Sequence, residues 1–105
     1  MAVHSSTSDT AHDRGVTREA KELVRAGWSV TATVEGWDDP EPVGPGVPDI
    51  VATKRGTVRV VEVETDDDDY EHRTVRTAVN RRRNAVFYAV IVDDNGRRIR
   101  YTDAA

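Results

Sequence analysis

Apolar residues recur along this chain with two periods, and each change of period marks a boundary. Val16, Ala20, Leu23 and Val24 follow helical spacing, with Glu19, Glu22 and Arg25 between them, and Gly27 is a natural stop. The period then drops to two. Trp28, Val30, Ala32 and Val34 alternate with Ser29, Thr31 and Thr33, which predicts a strand with one buried face. Residues 35–48 hold all four prolines and read as an irregular loop, a functional lid or a mobile segment. Asp49 to Thr53 and Thr57 to Glu64 read as two strands joined by a tight turn at Lys54-Arg55-Gly56. A second helix carries Val75, Ala78 and Val79 on its buried stripe. The run AVFYAVIV, residues 85–92, is nearly all apolar, as befits a strand covered on both faces. DDNG at 93–96 is a hairpin turn, and RRIRY after it is a polar edge strand. Residues 1–11 offer little to bury and read as a flexible tail, leaving 12–105 as a single domain. The predicted fold is α/β, a mixed sheet of about five strands flanked by helices.

The turn at Arg55-Gly56 has a consequence for chemistry. If it closes a hairpin, residue 54 pairs with 57, 53 with 58, and the register runs down to Asp49 opposite Glu62. Side chains so opposed have Cβ atoms about 5 Å apart. Glu64 shares the face of Glu62 because strands alternate with period two. Three carboxylates then converge at one end of a hairpin, and their repulsion calls for a cation. Hard oxygen donors suit Mg²⁺ or Mn²⁺, which activate water and neutralise charge on a phosphate. The plain alternative is a solvated strand face. It fits poorly, because Val58 and Val60 lie on the same face as the two glutamates.

Composition narrows the field. The chain has 105 residues, 37% hydrophobic, with one leucine, one phenylalanine and many valines, which favours strands over a helical bundle. It has no cysteine, so disulfides and thiolate chemistry are excluded. No apolar run is long enough to span a bilayer, and the N-terminus lacks the apolar centre of a signal peptide, so a cytoplasmic protein is expected. Net charge is −4, unevenly spread: residues 1–69 carry 7 basic and 15 acidic side chains, residues 70–105 carry 8 and 4. Arginine far exceeds lysine and aspartate exceeds glutamate, a bias that resembles a halophilic proteome. At molar salt the Debye length is about 3 Å, so overall acidity says little about partners.

Over roughly residues 13–65 the chain resembles the PD-(D/E)XK nuclease superfamily, most of all archaeal Holliday junction resolvases. Arg14-Gly15 with Glu19 resembles their helix start, Gly27-Trp28-Ser29-Val30 their first strand, Pro48-Asp49-Ile50-Val51-Ala52 their second, and Val61-Glu62-Val63-Glu64 their E-x-K strand. The resemblance implies a restriction-endonuclease-like fold and a Mg²⁺-dependent endonuclease acting on branched or damaged DNA. It implies Asp49, Glu62 and the carbonyl of Val63 as metal ligands, with Glu19 supporting them from the helix. Glu64 stands where the family has lysine, as a base, a second metal ligand or the mark of lost cleavage. With little room for a specificity domain, a homodimer or a partner subunit is expected.

Other residues carry weaker signals. Arg73, Arg76 and Arg83 share a helical stripe, either solubilising or seating nucleic-acid phosphates. Trp37 either stacks on an unpaired base or packs. His4, His12 and His72 lack metal-ligand spacing and read as surface residues, and Asp66–Asp69 as a solvated run. Two further readings of the whole stand beside the nuclease: a non-catalytic nucleic-acid-binding or protein-interaction module on the same fold, and an acidic protein with no site.

Overall fold

A computed structural model describes residues 7–44, 46–65 and 73–103. Helix α1 (Thr7–Arg25) is followed by strands β1 (Ser29–Ala32), β2 (Ile50–Lys54) and β3 (Thr57–Glu64), helix α2 (Arg73–Asn80), and strands β4 (Ala85–Val92) and β5 (Arg98–Asp103). The five strands form one mixed sheet in the order β1-β2-β3-β4-β5. All neighbours are antiparallel except β3 and β4, which run parallel. A parallel pair cannot be closed by a hairpin, and the stretch that contains α2 provides the crossover. No helix among the described residues is long and apolar enough to cross a membrane.

Each face of the sheet has its own core. On one face α1 lays Val16, Ala20 and Leu23 against Ile50, Ala52, Val61, Val63, Val90 and Val92. The helix comes close because Gly15 has no side chain: a Cβ there would stand 2.9 Å from Val63 Cγ1. On the other face Val79 of α2 meets Val60 and Phe87, with Val43 from the proline-rich loop. That loop is therefore no free lid. Val43 is buried and Pro48 is fully buried, so the segment seals the second core.

Helix α1 begins at Thr7, inside the stretch expected to fray. Ala11 is fully buried, and the small residues Ala11 and Gly15 set this end of the helix against the rest of the fold. The hairpin forms as its turn demands. Lys54 pairs with Thr57 and Ile50 with Val61, with Arg55 at φ 52° and Gly56 at φ 84°. Positive φ at both central residues is the type I′ signature, whose twist matches the flanking strands.

Candidate metal centre

The β2–β3 register continues one step past Ile50–Val61 and sets Asp49 against Glu62. Asp49 is pinned from several sides. Its carbonyl accepts the Thr33 N–H at 3.0 Å, and its Oδ2 accepts the Val63 N–H at 2.9 Å. The second bond prolongs the ladder with a side chain where β2 has ended. The N–H and C=O of a strand residue point to the same side, so the Val63 carbonyl is also directed towards Asp49.

His12 completes the cluster. Its Nε2 lies 3.1 Å from Asp49 Oδ2, and Nδ1 lies 3.3 Å from Asp13. The Asp49 carboxylate raises the imidazole pKa from 6.5 to about 9, against the opposing effect of burial. His12 is thus a cation bonded to Asp49, whereas the sequence placed it among surface residues. Burial pushes the Asp49 carboxyl upwards, but the His12 bond and charge, the Val63 N–H and a bond from Glu62 together hold it below its ordinary value. Glu62 goes the other way. Burial, then the neighbouring Asp49 charge and the shared hydrogen bond, with Glu64 adding repulsion, raise it to about 8. Near neutral pH the arrangement is a histidinium, an aspartate and a protonated glutamic acid.

Alternation puts Glu62 and Glu64 on the face of Val58 and Val60, away from α1, and all four are half-buried or buried. Glu19 is on the wrong side for this group. It stands about 10 Å further along α1 than His12 and is directed at the opposite face of the sheet. Its carboxylate accepts the Tyr88 hydroxyl at 2.8 Å and lies 3.6 Å from Arg98. Glu19 is 4% exposed, and burial raises its pKa. The expected support of the metal site by Glu19 is therefore corrected: it ties α1 to β4 and β5.

The expected nucleic-acid contacts separate as well. α2 ends at Asn80, so Arg83 does not continue a helical stripe; it is exposed in the turn before β4. Arg73 and Arg76 lie on α2, but their side chains fall outside the described residues, as do Asp66–Asp69, His4 and His72. Trp37 packs half-buried against the core under α1, which is the packing role.

Asp49, Glu62 and the Val63 carbonyl are hard oxygen donors of the kind that hold Mg²⁺ or Mn²⁺. They fit such an ion once Glu62 gives up its proton and His12 yields its charge. Among the described residues no three His, Asp or Glu side chains already form a metal cage. Comparison with protein-family models, curated proteins and solved structures finds no match for this chain.

Proposed function

We propose that the chain is a restriction-endonuclease-like domain and a metal-dependent phosphodiesterase acting on structured DNA, with Asp49 and Glu62 as its central acids. The observation that carries this reading is the acid pair itself. Two carboxyl groups face each other across the end of a hairpin, and one is driven up to about 8 by burial and by the other. A fold gains nothing from crowding two half-buried acids, and perturbed pairs of this kind cluster at functional sites. The element order, with Asp49 just before β2 and Glu62 on β3, agrees with the resemblance to the PD-(D/E)XK nucleases.

When bound, Mg²⁺ or Mn²⁺ supplies an activated water and neutralises charge developing on the phosphate. Asp49, Glu62 and the Val63 carbonyl would hold it. Asp49 stays ionised throughout, held so by His12 and the Val63 N–H. Glu62 must release its proton to serve, so activity should rise with pH towards the Glu62 value. Glu64 is the acceptor in the lysine slot, on the same face as Glu62, and takes the proton of the attacking water.

One observation favours a second reading, a non-catalytic nucleic-acid-binding module. The His12 imidazolium already supplies Asp49 with a positive partner at 3.1 Å, so the cluster is satisfied without a metal. Incubating the protein with branched and flapped DNA in Mn²⁺ or Mg²⁺ at high salt separates the two. The enzyme reading expects cleavage that Glu62→Gln abolishes while DNA binding persists. Glu64→Lys should lower cleavage if Glu64 is the working base. DNA binding with no cut by wild type or Glu64→Lys favours the second reading, and no binding of DNA or RNA rejects both.

A further inference from the structure

The sheet face under α1 carries a second group of functional side chains, unrelated to the acid pair. Where β3 and β4 begin, beyond the cover of α1, Arg59, Val86, Tyr88 and Tyr101 line a groove of about 340 Å³. Core packing does not account for its surface. Tyr101 on the edge strand is 48% exposed and Val86 on β4 is 49% exposed. The two tyrosines meet edge to face, with ring centroids 5.2 Å apart at 85°. Arg98 lies over the Tyr101 ring at 4.7 Å and donates to its hydroxyl at 2.8 Å, which fixes that ring in place.

Arg59 is held with equal care. Its guanidinium lies 4.3 Å from the Trp28 ring centre and 5.6 Å from that of Tyr88. Yet its Nε is buried with no hydrogen-bond partner among the described residues. A buried donor left unpaired costs free energy, and such a group calls for an acceptor. The groove thus offers a ring to stack on, an in-plane donor beside it and the Arg59 guanidinium charge, while Arg98 at its rim is paired with Glu22 at 3.0 Å and lies 3.6 Å from Glu19.

An unpaired nucleobase matches all three, because it has an aromatic face, acceptors in its plane and an attached phosphate. An apolar peptide would leave the donor and the Arg59 charge unused. We propose that this groove binds one unstacked base of a single-stranded nucleic acid, with the base on Tyr101 and an acceptor on Arg59 Nε. The site lies on the sheet face opposite Glu62 and Glu64 and stands whether or not the acid pair cleaves anything.

Fluorescence anisotropy of a labelled thymidine decanucleotide, titrated with the full chain in EDTA, tests this without involving the metal centre. The strand should bind more tightly than a duplex of the same length and more tightly than free thymidine monophosphate. Tyr101→Ala should weaken binding about tenfold, the effect of one lost stack, while Tyr101→Phe keeps the ring and retains the affinity. Arg59→Lys keeps the charge but removes the Nε donor, and should weaken binding several-fold. Circular dichroism confirms that each variant folds, and Tyr101 on the edge strand is the least exposed to that objection. Affinity unmoved by both Tyr101→Ala and Arg59→Lys overturns the proposal. Duplex binding as tight as single-strand binding overturns it too, and equal affinity for the mononucleotide replaces the strand with a free nucleotide.

Discussion

Glu62 stands opposite Asp49 at the end of the β2–β3 hairpin, one register step past Ile50–Val61, and their pKa values are pushed in opposite directions. His12 explains the asymmetry. Its positive charge falls on Asp49, leaving Glu62 with burial, the Asp49 charge and Glu64, and so Glu62 keeps the proton.

Stability should therefore depend on pH. Folding raises both Glu62, from 4.5 to about 8, and His12, from 6.5 to about 9, so the folded chain holds both protons more tightly. The Glu62 contribution is complete below its unfolded value and is lost as pH rises through about 8. The His12 contribution is lost in the same direction, through about 9. Asp49, held low, contributes stability that is lost only as pH falls through its folded value. Thermal melts in metal-free buffer should show Tm falling by at least about 5 °C between pH 6 and pH 9, about 1 kcal/mol in a domain of this size. Glu62→Gln should flatten the part of the decline below pH 8. A wild-type Tm independent of pH would contradict the acid pair.

The histidine can be read directly. NMR titration of His12 should find it near the raised value of about 9 in the wild type, and Asp49→Ala should return it towards 6.5. Asp49→Ala should also cost about 2 kcal/mol, because the Val63 N–H loses its acceptor. Asp49→Asn keeps an acceptor oxygen and should cost less while lowering His12 as well. A His12 that titrates near 6.5 in the wild type removes the cluster.

The turn that sets the register has its own test. Gly56 sits at φ 84° with open space where a Cβ would go, so Gly56→Ala meets only backbone strain. The expected loss is about 1 kcal/mol by urea denaturation. A neutral result would mean that the turn can adopt another form, and the alignment of Asp49 with Glu62 would no longer rest on it.

These residues differ in how far the sequence betrays them. The hairpin register was legible because Arg55-Gly56 is a two-residue turn and Val58, Val60, Glu62 and Glu64 alternate with Val61 and Val63. Strand β4 was legible as an unbroken apolar run. His12 was not, because it stands between Ala11 and Gly15, whose small side chains let the helix pack closely yet barely register as apolar. Glu19 occupies an i+3 position in the stripe Val16, Ala20, Leu23, which is a burial signal. Its partner Tyr88 lies 69 residues away, and no local pattern joins the two. The sealing role of Val43 was hidden by the prolines and glycines around it.

Glu19 yields a prediction that separates this chain from the pattern it resembles. Tyr88→Phe should destabilise the fold by about 1–3 kcal/mol, because it deprives a buried carboxyl of its donor. Glu19→Gln keeps a hydrogen-bonding side chain beside Tyr88 and should leave divalent-ion binding unaltered. Loss of that binding in a folded Glu19→Gln protein would return Glu19 to the metal centre.

Mn²⁺ binding at pH 6 and pH 9, followed by the electron paramagnetic resonance of free Mn²⁺, tests the Asp49–Glu62 pair most directly. The Asp49–Glu62 pair predicts one site that is stronger at pH 9, where Glu62 has lost its proton and His12 is losing its charge, and that disappears in Glu62→Gln and Asp49→Asn. No binding at either pH, or binding that survives both substitutions, would contradict it.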